Sequence, residues 1–87
     1  MYFTYILRSE TTGVFYKGHT QDLSVRLLEH NNGKGGSFTK KHVPWVLLYS
    51  EQYQTRAEAM KRERYLKSGK GREWIQKNVL EQSAAGG

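Results

Sequence analysis

The chain has 87 residues, with 14 Lys and Arg against 8 Asp and Glu, giving a formal net charge of +6 at pH 7. That length points to one domain, and no apolar run comes near the ~20 residues of a membrane-spanning helix. The absence of cysteine excludes a disulfide scaffold, thiol catalysis and cysteine-ligated zinc, while the positive charge makes a polyanion the first partner to consider.

Taken in chain order, the run Met1–Arg8 has neither the basic start nor the cleavage site of a signal peptide, and a cytoplasmic location is the expectation. Tyr2–Arg8 and Val14–His19 are rich in aromatic and β-branched residues, and the polar stretch Ser9–Gly13 between them predicts a β-hairpin. Leu23, Leu27 and Leu28 then recur at helical spacing, with Thr20 or Asp22 available as N-cap and Asn31-Asn32-Gly33 as the stop. The glycine-rich, basic Gly33–Ser37 reads as a mobile loop. After Pro44, the continuous apolar run Trp45–Ser50 predicts a strand covered on both faces. Thr55-Arg56-Ala57-Glu58 has the form of a capping box and opens a helix through Ala59, Met60, Glu63, Leu66 and Lys67, which stops around Ser68–Gly71. A last helix from about Arg72 would dock through Trp74, Ile75 and Val79.

Residues 1–80 form the expected domain, and 81–87, ending in Ser83-Ala84-Ala85-Gly86-Gly87, read as a frayed tail. Only 37% of residues are hydrophobic, but aromatics reach 13%, and each aromatic side chain buries a large area. The predicted fold is α/β (α+β): a small three-stranded antiparallel sheet flanked by three helices, in the order β-β-α-β-α-α.

The chain has neither a G-x-S-x-G elbow nor a phosphate-binding glycine loop that follows a strand and opens a helix. It does carry an unusual density of tyrosine on the hairpin. Tyr5 and Tyr16 fall on neighbouring strands, where pairing can place both rings on one face. Arg26 and His30 lie one turn apart on the first helix, and Glu63 sits among Lys61, Arg62, Arg64 and Lys67. Taken singly, each has an ordinary reading: sheet-forming tyrosines, a solvated helix face with a histidine near its C-terminus, and a salt-bridged carboxylate.

Together they resemble something specific. Phe3-Thr4-Tyr5 followed by Tyr16-Lys17-Gly18 resembles the paired signature of the GIY-YIG nuclease superfamily, with Phe3 at the first glycine position and Lys17 within the second triplet. Arg26 and His30 on the next helix and Glu63 on the one after extend the match. The stretches Tyr5–Ser9, Glu29–Gly33, Pro44-Trp45 and Lys61–Trp74 are similar to the small stand-alone members, so the resemblance spans about residues 2–75.

The resemblance implies a metal-dependent endonuclease that hydrolyses nucleic-acid phosphodiesters, DNA ahead of RNA, with one Mg²⁺ (or Mn²⁺). Glu63 would be the sole protein ligand of the ion, and Arg26 would hold a phosphate oxygen. Tyr16 would be the general base with Tyr5 orienting the water. His30, as an imidazole titrating near neutrality, is the second candidate for the base. Gly18 would allow close approach of backbone or substrate, and His19 and Lys67 are candidate phosphate contacts. A homodimer or a partner protein would help so small a domain act on two strands. The alternative is a non-catalytic nucleic-acid-binding module of the same fold, or one that cleaves only with a partner protein.

Overall fold

The computed structural model describes residues 1–81; the expected tail, apart from Glu81, lies outside them. Two hairpin strands, β1 (Tyr2–Ser9) and β2 (Phe15–Thr20), are followed by helix α1 (Leu23–Asn31), a short helix α2 (Ser37–Lys41), strand β3 (Trp45–Tyr53), and helices α3 (Arg56–Leu66) and α4 (Gly69–Ile75). A π-helical segment, Gln76–Leu80, continues α4. The β-β-α-β-α-α order stands, with α2 added between α1 and β3. No helix among the described residues is long and apolar enough to cross a membrane.

The sheet is antiparallel throughout, in the order β2-β1-β3, so the first strand is the central one. Side chains alternate across a strand, and both faces of β1 are covered. Ile6 points into an aliphatic core with Leu66, Ile75 and Val79, against which Phe15, Leu48, Tyr49 and Trp74 pack. Tyr5 and Leu7 point the opposite way, onto Trp45, Tyr16, Leu23 and Leu27 beneath α1. The first face is closed by α3 and α4, where the Thr4 hydroxyl donates to the Ala59 carbonyl at 2.8 Å.

The caps follow local chemistry. Asp22 caps α1 by accepting from the Val25 amide, and Thr55 and Glu58 form the reciprocal capping box of α3. Gly33, at φ +78°, turns the chain out of α1.

Three local expectations are corrected. The run Trp45–Ser50 is not covered on both faces: β3 is an edge strand, and Val46 and Leu47 remain 39% and 43% exposed. A register shift between Ile6 and Leu7 leaves Leu48 as an extra residue opposite β1, and this bulge breaks the alternation along β3. The stretch read as a mobile loop contains a close packing contact at Gly35 and leads directly into α2. The last helix starts at Gly69 rather than near Arg72, because the Ser68 hydroxyl accepts from the Gly71 amide and caps it.

Candidate active site

Tyr5, Tyr16, His30 and Arg26 converge on the α1 face of the sheet. In the hairpin register Tyr5 lies opposite Gly18, and Tyr16 lies opposite Leu7, which makes the two tyrosines diagonal neighbours. Their ring centroids are 6.3 Å apart. A Cβ at Gly18 would come within 2.5 Å of the Tyr5 hydroxyl oxygen. The space over Gly18 is therefore filled by the Tyr5 phenol, which reaches across β2.

His30 meets this pair from α1. Its Nε2 is 3.0 Å from the Tyr5 hydroxyl, and its ring is edge-on to Tyr16 at 4.8 Å. Gly35 closes over the other side of the imidazole, where a Cβ would overlap Nδ1 and clash with Thr39 Oγ1. His30 is fully buried (0% exposed), and Nδ1 has no hydrogen-bond partner. A buried N–H without an acceptor is rarer and costlier than a bare lone pair. We therefore assign the proton to Nε2, which donates to the Tyr5 oxygen and leaves the phenol O–H free for a third partner.

Burial, reinforced by the charge of Arg26, pushes the His30 pKa down to about 4. The expectation of an imidazole titrating near neutrality is thus corrected: His30 is neutral at pH 7. Burial pushes the Tyr5 phenol up to about 12, against the opposing pull of the Arg26 guanidinium. Tyr5 stays protonated and serves as a polar anchor. Arg26 is kept firmly charged: its burial is outweighed by the Tyr5 oxygen and by Glu29, 3.1 Å away on the same helix.

Glu63, His19 and Lys67 form a second group on the α3 side of β2. Glu63 Oε1 is 2.6 Å from His19 Nδ1, and Oε2 accepts from Lys67 one turn along α3. Burial would raise the Glu63 carboxyl, but the bonds from Lys67 and His19 outweigh it and hold the pKa below the usual carboxylate value. No direct contact joins this group to the tyrosines. The two lie on opposite sides of edge strand β2, Tyr5 packed over Gly18 and Glu63 bonded to His19, the next residue, and the Glu63 charge acts on Tyr5 across the strand.

Two supports were not singled out from the sequence. On α3, Arg62 turns to β3 and binds Glu51 at 2.8 and 3.1 Å, while Glu51 also accepts from Tyr49 and Tyr53 at 2.6 Å. Neighbouring side chains therefore pin α3 to both outer strands, Arg62 to β3 and Glu63 to β2. On the opposite face, the Asn31 amide clamps both backbone groups of Trp45, at 2.6 and 3.0 Å, and the Trp45 indole donates to the Thr39 carbonyl at 2.8 Å. An Arg–Glu pair separated by strand and helix, or an Asn reaching a Trp backbone, has no local sequence signal.

Among the described residues there is no group of three His, Cys, Asp or Glu side chains able to hold a metal ion. A divalent ion here would have one carboxylate, Glu63, and would take its other ligands from water and phosphate oxygens. That donor set suits Mg²⁺, which keeps several waters and binds through one or two carboxylates plus substrate phosphates. The surroundings are cationic: Lys17 has its pKa lowered by burial and by repulsion from Arg72 and Lys67.

A sequence model of the GIY-YIG catalytic domain matches residues 1–78. A UPF0213 protein of Staphylococcus epidermidis is 42% identical over 67 residues, covering 77% of this chain and 80% of that protein. A Staphylococcus aureus UPF0213 protein is 39% identical over the same shares. Among solved structures, the solution NMR structure of the UPF0213 protein BH0048 from Bacillus halodurans is similar, with 30% identity and a TM-score of 0.51, covering 88% of this chain and 84% of that one.

Proposed function

The chain belongs to the GIY-YIG family, a nuclease family, and from that premise we propose that it is a metal-dependent endonuclease acting on nucleic-acid phosphodiesters, DNA ahead of RNA. The observation that supports this reading is a Tyr–Tyr–His–Arg cluster packed over Gly18 together with a carboxylate, bonded to the adjacent His19 on the other side of β2, that is held ionised among cations.

A divalent ion on Glu63 would supply the Lewis acid that polarises the scissile phosphate and stabilises the leaving oxygen. Arg26 holds a non-bridging phosphate oxygen by charge-assisted bonds as charge develops. Tyr16, half-buried beside Tyr5 and His30, first releases its own hydroxyl proton to bulk water and then, as phenolate, takes the proton of the attacking water. Tyr5 positions that water through the hydroxyl proton left free by the His30 Nε2 donor. His30, neutral and sealed by Gly35, fixes the Tyr5 hydroxyl rather than acting as the first base. His19 and Lys67 exchange their bonds to Glu63 for phosphate oxygens when substrate arrives.

One observation favours a second reading, a binding module that cleaves only with a partner: both oxygens of Glu63 are already paired within the chain. Labelled single-stranded, duplex and branched DNA, and RNA, incubated with Mg²⁺ or Mn²⁺, separate the two readings. Cleavage that stops with chelator and in Tyr16→Phe supports the enzyme. Binding without cleavage of any substrate supports the module. Cleavage that survives both treatments overturns the mechanism.

A further inference from the structure

Phe38 is 48% exposed on the short helix α2, in a domain that buries its other two phenylalanines more deeply. Its ring is not isolated. It lies 4.6 Å from the His42 ring and 6.3 Å from Trp45, and Trp45 in turn stands 6.2 Å from Tyr16. The array is held from behind: Thr12 binds His42 at 3.0 Å, the Trp45 indole donates to Thr39, and Thr39 is fully buried. An aromatic ring thus stands at the surface on a braced support, two ring-to-ring steps from Tyr16.

The charge around it has one sign. No Asp or Glu occurs between Glu29 and Glu51, whereas Lys34, Lys40 and Lys41 are all exposed there. None of the ion pairs among the described residues involves these lysines. An exposed aromatic ring flanked by unpaired cations suits single-stranded nucleic acid, in which a base stacks on the ring and the backbone runs along the cations. A protein partner would have to supply both an apolar cap and several acids.

We propose that Phe38, backed by His42 and Trp45, is a stacking platform for an unpaired base, so that the favoured substrate presents a single-stranded segment beside the scissile bond. This rests on the nucleic-acid reading above and names the form of substrate. Stacking needs a base free of its complement, and a blunt duplex offers its base faces only at its ends.

The test is equilibrium binding with chelator present, which separates binding from cleavage. Fluorescein-labelled oligo-dT and a long blunt-ended duplex are titrated with wild type, Phe38→Ala, Phe38→Leu and Phe38→Trp. Because base–aromatic stacking is worth ~1–3 kcal/mol, Phe38→Ala should weaken oligo-dT binding about 5- to 150-fold. Duplex affinity should be unchanged, Phe38→Leu should fail to restore the loss, and Phe38→Trp should restore it. Equal loss on both DNAs, rescue by leucine, or no loss overturns the platform while leaving the nuclease reading intact. Sedimentation that shifts from dimer to monomer in Phe38→Ala overturns it in favour of a second copy of the chain. Failure of wild type to bind any oligonucleotide overturns both readings.

Discussion

The two faces of the sheet are built from the same central strand and do different work. On the α3–α4 face, Ile6, Leu66, Ile75 and Val79 form a core of aliphatic side chains. On the α1 face, the buried set includes a phenol, an indole and a neutral imidazole with an unpartnered nitrogen. Burying polar rings costs free energy unless every group is paired. A fold that needed only stability would repeat the first face on the second. The difference teaches that the aliphatic face holds the domain together, while the polar rings of the aromatic face are what the proposed chemistry would use. Glu63 belongs to the aliphatic side by its helix and, through its bond to His19 on β2, to the proposed chemistry.

The comparison is broken or sharpened by substitutions on each face. Glu63 apart, the largest expected effect is kinetic. Arg26→Ala removes the charge proposed to meet the phosphate and should lower the cleavage rate about 10²- to 10³-fold. Its thermal midpoint should stay near wild type, because the Arg26–Glu29 pair it loses is a half-exposed surface contact. A matching collapse in stability would show that Arg26 serves the fold instead.

Next come two glycines, one on each face. At Gly71 a Cβ would overlap the Tyr65 carbonyl and crowd the Leu66 backbone, which cannot move aside. Gly71→Ala should therefore cost stability, about 1–3 kcal/mol or more. At Gly18 the obstacle is the Tyr5 side chain, so Gly18→Ala should displace the phenol from His30 and cost activity more than stability. Denaturant unfolding and cleavage measured on the same preparations rank the pair, and the reverse ranking would exchange the roles of the two faces.

Acid sensitivity is the third. The unfolded chain binds a proton at His30 near the ordinary 6.5, whereas the folded chain does so only at about 4. Stability is therefore lost as pH falls through that window, by up to about 1.4 kcal/mol per pH unit. Urea unfolding between pH 7 and 4.5 should show this slope, and His30→Gln should flatten it. A slope unchanged in that variant would place the acid sensitivity elsewhere. The smallest effect belongs to a cap far from both faces: Thr55→Ala should cost about 1 kcal/mol through loss of the capping box, with no change in cleavage.

Much of this organisation was legible in the residues, wherever local chemistry decides. Asp22, one of the two N-cap candidates for α1, and Thr55 cap their helices, and alternation along the hairpin puts Tyr5 and Tyr16 on one face. What escaped depends on contacts distant in sequence. The apolar run of β3 has the pattern of a strand buried on both faces, but strand order is a tertiary property, and β1 takes the centre. The glycines before α2 gave the signature of a loop; Gly35 is instead the residue small enough to close over His30. The sequence alone makes His30 a surface histidine or a base titrating near neutrality, because nothing in its own helix reveals that closure. The Glu51–Arg62 brace was invisible for the same reason.

The most direct measurement is the metal-dependent cleavage rate of Glu63→Ala beside wild type, with the thermal midpoint of both recorded on the same samples. The carboxylate is mostly buried and its pair with His19 ties α3 to β2, so the variant should melt somewhat below wild type yet stay folded at the assay temperature. Its cleavage should fall by about 10³-fold or more, to the level of wild type in chelator. Cleavage by folded Glu63→Ala at the wild-type rate, or wild-type cleavage indifferent to chelator, would contradict the assignment of this face to metal-assisted chemistry.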